Sequence, residues 1–156
     1  MPGSRKKTVA RQDDLKRLIL LHVEDDEDDA LLFAKACERA ALSAQLYRVR
    51  DGEEARDYLL GQSAYADRLK HPLPQVMVLD LKLPRMTGFE FLKWLRAQAG
   101  FAALPVLVFT SSLSGDDKTR ALAEGASSYF VKPASFDALV KMVESFKAGE
   151  PPAAEE

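Results

Sequence analysis

The sequence predicts an α/β fold: a doubly wound sheet of five parallel strands with helices on both faces. Three observations carry that reading. Five short apolar runs recur along the 156 residues, and the central ones are too uniformly apolar for strands with one wet face. Five segments with apolar residues at helical spacing alternate with those runs. Such alternation calls for right-handed crossovers and a mostly parallel sheet between helical layers.

Each element follows from local chemistry. Residues 1–17 carry Arg5, Lys6, Lys7, Arg11, Lys16 and Arg17 against Asp13 and Asp14 with no sustained apolar period, so they read as a solvated extension. Residues 18–23, Leu-Ile-Leu-Leu-His-Val, read as a strand buried on both faces. Ala30, Phe33, Ala34, Cys37 and Ala41 then repeat at helical spacing. Leu46, Tyr47 and Val49 mark a strand over 45–50 that lies nearer an edge. Asp51-Gly52 is a turn, and 53–60 a helix with Gly61 as its C-cap. Residues 62–74 form a loop, from whose end Pro72 and Pro74 exclude a helix. Val76-Met77-Val78-Leu79 is the third strand, and 88–98 a helix with Phe91, Leu92 and Leu95 on one stripe. Pro105 opens the fourth strand over 106–109, and a helix over 115–124 ends at Gly125. Tyr129-Phe130-Val131 is the fifth strand, and Phe136, Leu139, Val140, Val143 and Phe146 form the clearest helical stripe. The domain spans 18–148, and 149–156 form a tail.

Composition narrows the function classes. Lys and Arg number 22 against 24 Asp and Glu, a net charge of −2 that does not favour nucleic acid or an anionic membrane. A single cysteine, Cys37, rules out an intrachain disulfide and speaks against a cysteine zinc site. No apolar run approaches the ~18 residues of a membrane helix, and the charged N-terminus lacks a secretory apolar region. A reducing cytoplasm is the expected compartment.

In such a fold, ligands bind at the carboxyl ends of the strands. Glu24 and Asp25 follow the first strand, Asp80 the third, Thr110 and Ser111 the fourth, and Lys132 and Pro133 the fifth. Three clustered carboxylates repel one another unless a cation sits among them. Oxygen ligands without His or Cys suit Mg²⁺ or Mn²⁺. Lys132 and Thr110 add a positive charge and a hydroxyl donor for phosphoryl oxygens, and an aspartate can itself be the nucleophile that forms an acyl phosphate.

Four segments in this order resemble the receiver domain of two-component response regulators: Val23-Glu24-Asp25-Asp26, residues 78–88 around Asp80, Phe109-Thr110-Ser111-Ser112, and Tyr129-Phe130-Val131-Lys132-Pro133. The resemblance runs over about 18–147 and implies the flavodoxin-like (βα)5 receiver fold. It implies that Asp80 accepts phosphate from a histidine kinase. It also implies that Asp25, Asp80 and the Lys82 carbonyl ligate Mg²⁺, with Glu24 acting through water. Thr110 and Lys132 would hold the phosphoryl group. Tyr129 would be the aromatic switch, turning inward when Thr110 moves, and Lys132–Pro133 would be a cis peptide. Glu24 stands where Asp is commoner in the family, and the Lys82 side chain beside the acceptor bears on dephosphorylation. The 61–74 and 128–137 segments further resemble single-domain regulators paired with bacterial phytochrome kinases.

Plainer roles suit other residues. Asp26, Glu27, Asp28 and Asp29 complement a helix dipole. His22 and Cys37 are structural, Trp94 packs partly, Lys118 and Arg120 are solvated, and Tyr129 also suits ordinary strand packing. About ten residues follow the last helix, too few for a DNA-binding domain. Output through a protein partner or a homodimer is therefore expected. The rival is a Mg²⁺-dependent phosphatase with an aspartyl-phosphate intermediate, but such enzymes place an acid where this chain has Lys82. In a flavodoxin-like cofactor binder, Glu24 and Asp25 would repel the phosphate.

Overall fold

The computed structural model describes residues 18–40, 44–133 and 135–146. The expected extension, the tail and Ala41 lie outside the described residues. Five strands, β1 (Leu18–Val23), β2 (Ala44–Val49), β3 (Val76–Leu79), β4 (Val106–Thr110) and β5 (Ser128–Val131), form one sheet in the order β2-β1-β3-β4-β5. All four neighbouring pairs are parallel. The α-helices are α1 (Glu27–Arg39), α2 (Gly52–Leu60), α3 (Gly88–Ala97), α4 (Gly115–Ala123) and α5 (Phe136–Glu144). Where the sequence sets both ends of an element, the observed bounds agree with it to within one residue.

The strand alternation sorts side chains into two cores. Leu18, Leu20, Val76, Val78, Leu107 and Phe109 meet Phe33 of α1 and Leu139 and Val143 of α5 on one face. Leu21, Val23, Met77, Leu79, Val106 and Val108 meet Tyr58, Phe91 and Ala121 of α2, α3 and α4 on the other. β2 is an edge strand, half-buried along most of its length, as its alternation predicts.

Each α-helix begins on a capping side chain that accepts the backbone N–H three residues on: Asp26, Asp51, Thr87, Ser114 and Ser135. Thr87 and Glu90 complete a capping box. Gly61 takes the left-handed conformation after α2, at φ 67.

Some expectations need correction. In α1 Ala36 is buried and Ala34 only half-buried, and in α5 Met142 is buried while Val140 packs half-buried against the same core. Both shifts follow from the 3.6-residue turn, which carries a stripe sideways along the helix. The 62–74 loop contains a 3₁₀ turn, Ser63–Tyr65, and is tied to α2 although most of its residues are exposed. Rings of Tyr58, Tyr65 and His71 cluster there, and Arg68 donates to the carbonyls of Tyr58 and Leu59 in the last turn of α2. Arg120 is exposed, yet its guanidinium lies 4.0 Å from the Phe89 ring centroid. Among the described residues no peptide bond is cis, so Lys132–Pro133 is trans, the form an X–Pro amide prefers by about 0.5–1 kcal/mol. Among the described residues no helix is long and apolar enough to cross a membrane.

Candidate functional site

The sheet's hydrogen bonding continues one residue beyond the strands and fixes the residues that follow them. Glu24 N–H donates to the Val49 carbonyl (3.0 Å), Asp80 N–H to Val23 (3.2 Å) and Lys132 N–H to Thr110 (2.7 Å). Glu24, Asp80 and Lys132 are thereby brought to one edge with their backbones anchored. The loop after Asp80 closes on itself, because Gly88 N–H donates to the Leu81 carbonyl at 3.0 Å. A Cβ at Gly88 would lie 2.6 Å from the Asp80 carbonyl oxygen, so this closure needs glycine. Lys82 N–H donates to Asp80 Oδ1 at 3.1 Å, orienting the carboxylate. Arg85, at a left-handed φ of 64, pairs with Asp51, the cap of α2.

Glu24, Asp25 and Asp80 each offer an oxygen within 4.8 Å of the others. Glu24 and Asp80 are buried and Asp25 is exposed. Such a trio can hold a divalent cation, and hard carboxylate oxygens suit one that retains water. The Lys132 ammonium lies 2.7 Å from Glu24 Oε1, 2.7 Å from Asp29 Oδ2 and 3.0 Å from Asp80 Oδ2. Burial pushes the Glu24 carboxyl up to about 7, against the opposing hydrogen bond from Lys132. Burial works against the Lys132 charge, but hydrogen bonds to Asp29 and Glu24 and the charge of Asp80 hold it above the usual lysine range.

A second group of residues surrounds the end of β4. Thr110 is fully buried, and its Oγ1 accepts from Ser112 N–H at 3.4 Å. The Tyr129 ring is buried in the inward position, its hydroxyl donating to the Ser112 carbonyl at 3.2 Å. Ser112 Oγ donates to Asp117 Oδ2 (2.6 Å) and accepts from Ser114 N–H (3.2 Å), tying the loop to the start of α4. Tyr129, Val131, Lys132 and Pro133 line a cavity of about 360 Å³ beside that loop.

The structure therefore joins Glu24, Asp25, Asp80 and Lys132, with the Lys82 amide on the acceptor side chain. Ser111 is exposed at the end of β4, and the Lys82 residue is exposed as a whole. Sequence reasoning missed two residues. Asp29 suits the helix dipole, yet it lies four residues before buried Phe33 and so on the sheet-facing side of α1, a signal the sequence carries. Ser112 closes the segment Phe109-Thr110-Ser111-Ser112, but nothing in its spacing marks it as the hub of the loop.

Residues 20–144 match the response regulator receiver domain. The chain belongs to that family. Of its relatives, the receiver is 37% identical to the probable methanogenesis regulatory protein FilR2 of Methanothrix harundinacea, over 83% of this chain and 81% of that one. The crystal structure of response regulator RPA3017, from red light signaling of R. palustris, superposes with a TM-score of 0.78 at 34% identity, covering 82% of this chain and 90% of that one. The phosphorylated cyanobacterial phytochrome response regulator RcpA superposes with a TM-score of 0.74 at 28% identity, covering 82% and 89%. The protein is thus a two-component receiver homologous to phytochrome response regulators, a family of generally non-enzymatic signalling modules. The phosphatase reading is not favoured.

Proposed function

We propose that Asp80 accepts a phosphoryl group from the phosphohistidine of a sensor histidine kinase. The supporting observation is the setting of Asp80, buried between the Lys132 ammonium and the other acids of the trio. An Asp80 carboxylate oxygen attacks phosphorus as the P–N bond to the kinase histidine breaks. Lys132 and the Thr110 hydroxyl then hold phosphoryl oxygens. Asp25, Asp80 and the Lys82 carbonyl would hold Mg²⁺, with Glu24 acting through water. Bound there, the ion supplies charge that offsets the carboxylates and the incoming phosphoryl group.

Output runs through Thr110. Its move toward Asp80 strains the long Ser112 bond, and Ser112 joins the Tyr129 hydroxyl to the start of α4. Tyr129 is buried with its hydroxyl on the Ser112 carbonyl, the packed one of the two positions that an aromatic switch would use. Pro133 borders the same cavity, and exposed Ser111 is free to meet a partner. The domain spans 18–148. The similarity to RPA3017 and RcpA supports a bacterial phytochrome as the kinase. The buried single thiol of Cys37 suits a reducing cytoplasm. Signalling proceeds through a protein partner or a homodimer. Light scattering that gives a monomer at all concentrations and in both phosphorylation states would remove the dimer.

Acetyl phosphate with Mg²⁺ should add one phosphoryl group, seen by intact mass, and Asp80→Asn should prevent it. Equal labelling of that variant refutes the acceptor assignment.

A further inference from the structure

We propose that Asp29 is a positioning residue for phosphoryl transfer, holding the Lys132 ammonium at the acceptor while the site's other carboxylates are engaged elsewhere. This rests on the reading of Asp80 as the acceptor. An ammonium has three N–H donors. Lys132 directs its Nζ to three carboxylates, Glu24, Asp29 and Asp80. Glu24 and Asp80 also belong to the trio that gathers within 4.8 Å, so a cation there and a phosphoryl group on Asp80 both draw on them. Asp29 is not in that trio. It is the lysine partner whose oxygens remain uncommitted when the site is loaded.

Its own position is well determined. Asp29 is the third residue of α1, and its N–H is held by the capping Asp26 Oδ1 at 2.9 Å. The helix is fixed to the sheet by Ala30, Phe33 and Ala36. Lys132 is largely buried and Asp29 partly exposed, and the two border a small open cleft with Leu32, Phe109, Pro133 and Leu139. Burial of the ammonium reduces screening on its side of the contact. Glu24 and Asp29 both lie nearer Nζ than Asp80 does, so the ammonium is suspended from α1 and the end of β1 and aimed at the acceptor.

Electrostatics alone makes the opposite prediction. Asp29 is a negative charge beside an incoming anion, and its removal would then speed labelling. The two roles are separated by Asp29→Asn, which keeps the shape, and by Asp29→Ala. Both are compared with wild type in Mg²⁺ titrations and in acetyl phosphate labelling at saturating Mg²⁺. If Asp29 positions Lys132, labelling slows on the order of tenfold in both variants while Mg²⁺ affinity is unchanged. The ¹⁵N signal of the Lys132 ammonium, protected in wild type, should also be lost to exchange with water. A melting curve confirms that Asp29→Asn is folded. An unchanged or faster rate overturns the proposal, as does a slower rate that comes with lost Mg²⁺ affinity. A wild type that fails to label at all sinks the acceptor reading, and this proposal with it.

Discussion

Glu24 should make divalent-cation binding depend steeply on pH near neutrality. Burial raises its carboxyl from the ordinary 4.5 to about 7, so a proton and a cation compete for it. With a midpoint near 7, about nine-tenths of the group is ionised at pH 8 and about one-tenth at pH 6. Mg²⁺ affinity should therefore rise about tenfold between those values. Glu24→Gln keeps the shape and removes the titration, so its affinity should be lower and nearly flat with pH. Calorimetric titration in buffers of different ionisation enthalpy also counts the proton that the metal displaces. An equal affinity at pH 6 and pH 8, or the same slope in Glu24→Gln, refutes the reasoning. Melting temperature is a poorer readout. Between pH 4.5 and 7 folded Glu24 holds a proton that the unfolded chain has lost, so this group's contribution to stability falls as pH rises. His22 acts in the opposite sense. Burial lowers it from 6.5 to about 3, so its contribution is full above 6.5 and is lost as pH falls toward 3. The two windows overlap, and only the metal titration isolates Glu24.

Three further outcomes are expected. Gly88→Ala would place a Cβ against the Asp80 and Leu81 backbone, so urea unfolding should show a loss of about 1–3 kcal/mol, with slower labelling of Asp80. His22→Phe removes a buried base whose ring lies 4.4 Å from Phe33; from pH 7 to pH 4 its stability relative to wild type should improve by about 3 kcal/mol, read from urea midpoints. Thr110→Ala should leave Asp80 able to be labelled but abolish the beryllofluoride-induced change in amide exchange over 112–132, and an unchanged response excludes Thr110 as the coupling residue.

Most of the fold was legible because its strands are short and flanked by strong signals. Val76-Met77-Val78-Leu79 is a short β-branched apolar run bounded by Pro74 and Pro84, and Gly61 stands where a helix C-cap is needed. The parallel pairing of the strands followed from the alternation of elements, while their order β2-β1-β3-β4-β5 is visible only in the structure. The sequence was less legible where a helical stripe drifts, as with Ala34 against Ala36, since a 3.6-residue turn leaves two candidates for one inward position. The 62–74 loop was read from its prolines alone. Its order depends on Arg68 reaching back to the end of α2 and on rings of Tyr58, Tyr65 and His71 meeting at 5.0 to 5.8 Å, contacts that no local pattern encodes.

The site was legible where chemistry and chain position coincide, and it was not where a residue acts through another. Glu24, Asp25, Asp80 and Lys132 each follow a strand, so the topology alone brings them to one edge. Asp29 belongs to a helix, and an acid in a first turn has a sufficient explanation in the dipole. Only the sheet-facing side of α1 and the reach of Lys132 turn it into a contact of 2.7 Å. Ser112 was missed for the same reason. Its importance lies in accepting Tyr129 through its carbonyl, donating to Asp117 through its hydroxyl and donating to Thr110 through its amide. The first and last of these use backbone groups, to which side-chain identity is nearly irrelevant. A junction that combines the backbone groups of Ser112 with its hydroxyl can carry movement of Thr110 to α4 and Tyr129 together, because a shift of one loop residue alters all three bonds at once. The side chains at the strand ends therefore specify the chemistry at Asp80, while the contacts of Ser112 with Thr110, Tyr129 and Asp117 determine what that chemistry moves.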